Sequence, residues 1–265
     1  MVATHPFGSL LKTWRGRRRI SQLQLALAAD VSARHLGFVE VGRARASRAL
    51  VLRLAEELQV PLRERNTMLA AAGFAGIFED SAPSDSSREL LYASIGATLN
   101  AHKPYPAFAI DRYWNVVASN AALPELYEGV RQDLLTQPVN TVRLTLHPQG
   151  MAPRIVNIDE WAAHTVARLR REIDLTADPQ LVDMLSEAQG YYPIAHPEVA
   201  GTRVYPLAVP LKVSTSLGVL SFFSSVMVFG SPVDVGLSEL AVELLYPADV
   251  ETDRAVRRTV RSADN

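Results

Sequence analysis

The sequence predicts a multidomain protein in which an all-α domain of five short helices precedes an α+β domain with an antiparallel sheet. Across the first 75 residues, apolar side chains recur at helical spacing and no strand alternation is found. After a polar, proline-containing segment, runs rich in Val, Leu and Phe alternate with helical patterns. A chain of 265 residues is long enough to build two cores. We place the domains at residues 1–78 and 89–253, with a linker at 79–88 and a charged tail at 254–265.

Helix-start signals support the five predicted helices of the first domain. The first helix is marked by Leu10, Leu11 and Trp14. Ser21, Ser32 and Ser47 stand where N-cap residues of the second, third and fourth helices would stand, and serine is a favoured N-cap. Pro61, which is tolerated at a helix start, opens the fifth.

The second domain contains both helical and strand patterns. We predict helices near 88–101, 120–129, 138–147, 158–173 and 179–190, and two short strands at 107–111 and 115–119 around a tight turn. Two longer runs, at 203–213 and 217–229, predict an antiparallel strand pair. After Asp249 the chain is charged, which predicts a surface helix or a frayed tail.

Composition limits the classes of site and the location. The chain has no cysteine, which excludes disulfides, thiolate metal sites and a cysteine nucleophile. No stretch approaches the roughly 18 apolar residues of a membrane span, and cations interrupt the early apolar stretch that a signal peptide would need. We therefore expect a cytoplasmic protein without a membrane partner.

Charge is divided unequally along the chain. Residues 1–75 hold twelve Lys and Arg against five Asp and Glu, a net charge of +7, whereas the remaining 190 residues carry −8. This division favours a polyanion partner for the first domain. A solvated basic face without a partner would have the same composition.

Residues 20–43 contain the pattern of a helix-turn-helix, in which one helix braces the phosphate backbone and the next enters the major groove. The small Ala26 falls where the two helices must approach closely. Apolar side chains fall at the shared core positions, which are Leu25, Val31, Leu36 and Val39. Ala29 and Asp30 form the turn, and aspartate tolerates left-handed backbone geometry better than most residues.

The third helix would then expose a set of side chains suited to DNA, namely Ser32, Ala33, Arg34, His35 and Phe38. We predict that Arg34 reads a guanine through its O6 and N7 atoms. Gln22 is placed for a phosphate or an adjacent base, and Arg43 and Arg45 for backbone phosphates. An ion pair between Arg15 and Glu40 would tie the first helix to the end of the third.

The ordered residues Ser21-Gln22, Leu25-Ala26, Val31-Ser32, Leu36, Glu40 and Gly42-Arg43 resemble the XRE helix-turn-helix family of phage-repressor-like proteins. This resemblance implies binding to double-stranded DNA. The alternative is a ligand-binding protein whose helical domain docks a protein partner instead of DNA.

Tyr105 to Ala122 joins two strands to a helix with an Asn120 cap, and this resembles the opening of a PAS-type sensor domain. Together with the XRE-like domain it resembles the MmyB-like transcription regulator family, whose ligand-binding domain is PAS-like. Shorter matching segments are Asn140-Thr141-Val142-Arg143, Trp161, Leu169-Arg170, His196-Pro197-Glu198-Val199 and Pro247-Ala248-Asp249.

A small sheet flanked by helices can enclose an apolar cavity. Candidate lining residues are Phe108, Ile110, Leu123, Tyr127, Trp161, Phe222 and Met227, although residues of these types more often belong to a plain core. Arg143 could anchor a polar head group, or it could be an ordinary exposed arginine. We expect a small apolar or fatty-acid-like ligand.

No cofactor is required by the sequence. A flavin that forms a cysteinyl adduct needs a cysteine, and the chain has none. The scattered histidines do not indicate a haem ligand. The recognised nucleophile-elbow, phosphate-loop, dinucleotide and zinc-protease motifs are absent, so we do not expect an enzyme, although catalysis without a known motif stays open. The family resemblance implies a homodimer and therefore a palindromic operator.

Overall fold

The computed structural model describes residues 6–79, 86–193, 209–229 and 234–263. The chain divides into two compact units, the first built mainly from the residues up to 81 and the second mainly from those that follow. The predicted segments at 80–85, 196–199, 203–208 and 264–265 lie outside the described residues.

The first unit contains the five predicted helices, which the structure confirms. They are α1 (Pro6–Arg17), α2 (Gln22–Ala28), α3 (Ala33–Glu40), α4 (Arg48–Glu57) and α5 (Leu62–Ala71). Their apolar faces meet in one core, whose largest fully buried side chains are Leu11, Leu25, Leu36, Leu54, Leu58, Met68 and Leu69. Burial of these side chains is the main force that holds such short helices in place.

Serine caps fix where three of these helices begin. The hydroxyls of Ser21, Ser32 and Ser47 accept hydrogen bonds from the backbone amides of Gln24, His35 and Leu50. Ser21 and Gln24 complete a capping box, since the Gln24 side chain accepts the backbone amide of Ser21 at 2.8 Å. The predicted caps are therefore confirmed.

The second unit is α+β, as predicted. Its helices are α6 (Ser86–Ala101), α7 (Thr141–Leu146), α8 (Ile158–Thr176), whose last residues 174–176 group with the first unit, α9 (Pro179–Tyr191) and α11 (Val250–Ala263). The one-turn helix α10 (Val235–Ser238), which precedes the last strand, also groups with the first unit. The strands are β1 (Ala107–Ile110), β2 (Val116–Ser119), β3 (Leu211–Thr215), β4 (Gly218–Val228) and β5 (Ala241–Pro247).

The described strands form one antiparallel sheet in the order β2-β1-β5-β4-β3. The predicted late strand pair is present as β3 and β4, joined by a turn at Ser216 and Leu217. The strand β3 shares only residues 211–213 with the run predicted at 203–213, of which 203–208 lie outside the described residues. The strand prediction did not include β5, which pairs with both β1 and β4 and so joins the two halves of the sheet.

Two segments differ from their predicted structure. The helix expected at 120–129 is only a short 3₁₀ turn at Pro124–Tyr127. The Asn120 side-chain oxygen accepts the backbone amide of Ala122, as a cap would, but it also accepts that of Ala107, and the side-chain amide donates to the carbonyls of Leu99 and Tyr105. The charged segment at 254–265 belongs to α11 as far as residue 263, and its Val256 is buried.

The two faces of the sheet have different partners. One face meets α7, α8 and α9 across the larger core, which includes Phe108, Leu144, Leu169, Leu181 and Phe222. The other face of β1 and β5 is covered by Ile95 and Leu99 of α6. Cavities that could receive a ligand lie on the side of the larger core.

A close approach between α1 and α3 generates a stability prediction. A Cβ atom at Gly8 would lie 2.4 Å from the carbonyl oxygen of Glu40, whereas one at Gly16 would meet nothing within 4 Å. We expect Gly8→Ala to lower the free energy of unfolding by about 1–3 kcal/mol, because helix backbones must separate. Gly16→Ala, on the same helix, should raise it by about 0.5 kcal/mol.

Urea denaturation of both variants measures these changes. Equal effects of the two substitutions would contradict the close packing of α1 on α3.

Candidate DNA interface and ligand cavity

The segment from α2 to α3 has helix-turn-helix geometry. The backbone amide of Ala29 donates to the carbonyl of Leu25 at 2.9 Å, and that of Val31 donates to Ala26 at 2.9 Å. Asp30 between them has φ of +50°, in the left-handed region. Asp30 therefore has the left-handed backbone conformation that the sequence analysis allowed for it. Helix α3 begins directly after its N-cap residue, Ser32.

The exposed surface of α3 contains the predicted side chains. Ser32 and Arg34 are exposed, and Ala33, His35 and Phe38 are partly exposed. Arg34 and Phe38 are one helical turn apart, and the guanidinium carbon of Arg34 lies 5.4 Å from the centre of the Phe38 ring. The ring thus supports a cation at the helix surface, an arrangement that favours a defined guanidinium position.

A buried carboxylate holds α3 against α1 and α2. Glu40 is 7% exposed and accepts hydrogen bonds from Arg15 Nε at 2.7 Å and Arg15 Nη2 at 3.1 Å. Gln22 Nε2 donates to the same carboxylate at 2.9 Å. The predicted ion pair of Arg15 with Glu40 is present, and the side-chain hydrogen bond to Glu40 raises the pKa of Arg15. In this arrangement the amide donor of Gln22 is directed to Glu40, which leaves its carbonyl oxygen for other contacts.

The turn after α3 carries the two predicted phosphate-binding side chains. Arg43 and Arg45 are both exposed and form no ion pair with any described residue. The backbone amide of Arg43 donates to the carbonyl of Phe38 at 2.7 Å, which ties this turn to α3. Arg48, which the sequence analysis did not single out, is a further exposed cation at the start of α4.

In the second unit, an internal space that we call the inner cavity lies between the sheet and α7 and α8. It has a volume of about 50 Å³. Its lining consists of Phe108, Trp114, Leu123, Leu126, Tyr127, Thr141, Leu144, Thr145, Met151, Trp161, His164, Thr165, Arg168, Leu211, Glu243 and Leu245. Phe108, Leu123, Tyr127 and Trp161 are thus brought together here, and burial raises the pKa of the Tyr127 hydroxyl.

The other candidate residues lie elsewhere. Phe222 lines a more open space of about 460 Å³, the outer pocket, which shares Leu126 with the inner cavity. Ile110 is buried in the core without lining either space, and Met227 is 39% exposed on the face of β4 opposite to Phe222. Arg143 is exposed and pairs with Glu187 through hydrogen bonds of 2.6 and 2.9 Å.

Sequence reasoning missed three ionisable residues of the inner cavity, His164, Arg168 and Glu243. His164 and Arg168 follow Trp161 by three and seven positions on α8, so helical periodicity could have placed them on one face. Arg168 Nη1 lies 2.8 Å from Glu243 Oε1, and Ser224 donates to the other Glu243 oxygen at 3.1 Å. The sequence could not place Glu243 in the cavity, because its strand, β5, was not predicted.

Aromatic side chains surround this ion pair. The guanidinium carbon of Arg168 lies 4.4 Å from the Trp114 ring centre, and Trp114 Nε1 donates to Glu172 at 2.7 Å. Burial raises the pKa of Glu172. The buried Trp161 Nε1 has no hydrogen-bond partner among the described residues.

Neither a metal site nor a membrane span is found among the described residues. Within them, no group of three or more His, Asp or Glu side chains is arranged to hold a metal ion. None of the described helices combines the length and the apolar character needed to cross a bilayer.

Comparison with known families agrees with this geometry. A helix-turn-helix family model matches residues 11–65, and the model of the MmyB-like transcription regulator ligand binding domain matches residues 92–258. The fold and these matches define a DNA-binding transcription regulator with a ligand-binding domain. The second match covers more than half of the sequence, and the chain belongs to the MmyB-like transcription regulator family.

Comparisons with individual proteins add little. No curated protein matches the chain. Among solved structures, a chain described as an RNA-binding light-oxygen-voltage receptor is 12% identical. The alignment covers 97% of the present chain and 64% of the receptor chain, with a TM-score of 0.28. That similarity is too low to bear on fold or function.

The environment of His164 generates a prediction about pH. Burial, together with the positive charges of Arg168 and Arg171, lowers the pKa of His164. The folded protein therefore resists protonation of His164, whereas the unfolded chain takes up the proton below the ordinary histidine pKa of about 6.5. We therefore expect the free energy of unfolding to decrease as the pH falls from 7.5 to 5.5, because the unfolded chain binds a proton at His164 that the folded protein resists. His164→Gln should show a smaller decrease in the free energy of unfolding over that range.

Urea denaturation at both pH values measures the difference. The control variant Thr145→Val, which alters the same cavity without a titratable group, should retain the pH dependence of the natural chain. An unchanged pH dependence in His164→Gln would contradict the assignment.

Proposed function

We propose that this regulator recognises a specific operator through α3 and adjusts its DNA affinity in response to a small apolar or fatty-acid-like ligand held in a PAS-like domain. The observation that carries the proposal is the exposed Arg34 and Phe38 surface of α3, held in place by the buried Glu40 network. A rigidly supported helix with exposed donors is what major-groove readout requires.

Each candidate residue has a role in this proposal. Arg34 donates to guanine O6 and N7, while Ser32, Ala33, His35 and Phe38 contact neighbouring base edges or sugars. Gln22 contacts DNA with the carbonyl oxygen that Glu40 does not engage. The exposed Arg43 and Arg45 bind backbone phosphates, which contributes affinity without sequence preference.

The DNA-bound form in this proposal is a cytoplasmic homodimer. Two copies of α3 about 34 Å apart would enter successive major grooves, so the operator would be an imperfect palindrome. Ligand binding would change DNA affinity by favouring one arrangement of the two helix-turn-helix units. The size of this effect is limited by the difference in ligand affinity between the two arrangements.

The inner cavity supports the ligand part of the proposal by its largely apolar lining and its few convergent polar groups. Its volume of about 50 Å³ is far below the roughly 300–1,000 Å³ of typical ligand pockets. An acyl chain would therefore have to displace lining side chains. Movement of Leu126, which borders both spaces, would join the inner cavity to the outer pocket of about 460 Å³.

A second candidate function is docking of a protein partner by the helical domain. It is favoured by Leu23 and Leu27, which lie one turn apart on α2 and are 59% and 72% exposed. A gel shift with the promoter of the neighbouring gene separates the two functions, because a protein-docking domain would leave that DNA unshifted.

Two arginine substitutions test the DNA roles. Arg34→Ala should cost about 1–3 kcal/mol on the operator and relax specificity at one base pair. Arg43→Ala should instead weaken binding to all sequences and reduce the salt dependence of binding. Fluorescence anisotropy with operator and random DNA at several salt concentrations distinguishes them. Equal losses of Arg34→Ala on both DNAs would rule out base reading by Arg34.

Native mass spectrometry and solvent extraction of the purified protein test the ligand role. We expect a co-purified apolar molecule, or a rise in Tm with members of a fatty-acid panel. Thr145→Phe, which places a larger side chain in the cavity lining, should abolish both effects. The control Thr136→Phe, at an exposed position outside the cavity, should retain them. Empty natural protein without any thermal shift would contradict ligand sensing.

A further inference from the structure

Arg18, which follows α1 directly, binds the carboxyl ends of two helices at once. Its Nε donates to the carbonyl of Leu58 at 2.8 Å and its Nη2 to that of Gln59 at 3.2 Å, both directly after α4. Its Nη1 donates to the carbonyl of Asp174 at 3.0 Å and its Nη2 to that of Leu175 at 3.1 Å, in the last turn of α8. The last carbonyls of a helix have no partner within the helix and favour a cation, so one guanidinium stabilises both helix ends.

The end of α8 is part of the first unit, whereas the rest of this helix belongs to the second. Residues 174–177 group with the helix-turn-helix, and Ile173 is the last residue before them that groups with the sheet. Ala177 packs against the core of the first unit, and its φ of +65° turns the chain directly after α8. The end of α8 is therefore attached to the first unit by packing as well as by the hydrogen bonds of Arg18.

The chain is held again as soon as it returns to the second unit. Asp178 caps α9 by accepting the backbone amide of Gln180, and its carboxylate also binds Arg112 and the Tyr113 hydroxyl. Arg112 Nη1 lies 2.7 Å from Glu239, which directly follows the other segment that groups with the first unit. This anchor restricts the chain after Ala177, so a displacement of α8 acts on its attachment to Arg18.

The same helix forms a wall of the inner cavity, since Trp161, His164, Thr165 and Arg168 lie in the lining. A space of about 50 Å³ holds little more than one water molecule, so a larger occupant must displace lining side chains. Arg168 and Asp174 are six positions apart on α8, which is about 9 Å at the rise of an α-helix. A rigid helix carries a displacement over this distance.

We propose that Arg18 couples the two units, because it transmits a displacement of α8 at the inner cavity to the helix-turn-helix and transmits DNA binding back to α8. Within the first unit, Arg15 binds the carbonyl of Ile20 at 3.1 Å and the Glu40 carboxylate of α3, which connects the Arg18 segment to the exposed helix. The inference rests on the proposed function and names the residue through which its two sites communicate. Coupling between two sites is reciprocal, so it is measurable from the DNA side without a known ligand.

Hydrogen exchange of the purified full-length protein, followed by mass spectrometry with and without a duplex of the neighbouring gene's promoter, tests the inference. We expect the duplex to change exchange rates by at least about twofold both in α3 and in residues 161–176 of α8. Arg18→Met retains a long side chain and removes the donors, so it should keep the change in α3 and lose the change in α8. The control Arg17→Met, which removes the neighbouring exposed cation, should keep both changes.

The outcomes separate the inference from the function on which it rests. A duplex that changes exchange in α3 but not in α8 of the natural protein overturns the coupling, and this comparison requires no variant. An equal response of α8 in the natural protein and in Arg18→Met overturns the assignment to Arg18. If the duplex changes exchange in neither helix of the natural protein, the proposed DNA-binding function fails, and the coupling fails with it.

Discussion

The buried carboxylate of Glu40 is the constraint on which the exposed surface of α3 depends. A carboxylate removed from water needs compensation, and here three hydrogen bonds from Arg15 and Gln22 provide it. These donors lie on α1 and α2, so compensating the charge also fixes α3, which carries Glu40, relative to both helices. Arg34 and Phe38 on the exposed side of α3 therefore have a defined position before DNA is bound. The close contact at Gly8 adds a steric limit at the same place.

The ligand-binding domain uses a second buried carboxylate in a comparable way. Glu243 on β5 binds Arg168 on α8, which links the central strand to the long helix beside the inner cavity. This matched pair contributes polarity to the cavity without net charge. The Trp161 N–H in the same lining, by contrast, donates to no described residue.

Local sequence signals accounted for the helix-turn-helix. Serine caps, the left-handed Asp30 and the apolar positions of α2 and α3 act over a few residues, so their structural consequences can be inferred from the sequence. The predicted helix after Asn120 is not formed beyond a short 3₁₀ turn, although Asn120 accepts the backbone amide of Ala122. The same side chain also donates to Leu99 and Tyr105, which are 21 and 15 positions away in the chain, and local patterns do not encode such contacts.

The sequence by itself determined the two-domain organisation, the order of the first five helices, the exposed set on α3 and the pairing of Glu40 with Arg15. These follow from periodicity, capping and charge within short segments. Only the tertiary structure decided the makeup of the inner cavity. The packing of α8 on the sheet brings Arg168 beside Glu243, while side-chain alternation along β4 places Met227 on the face opposite Phe222. Such contacts depend on sheet register between distant segments, which local patterns do not encode.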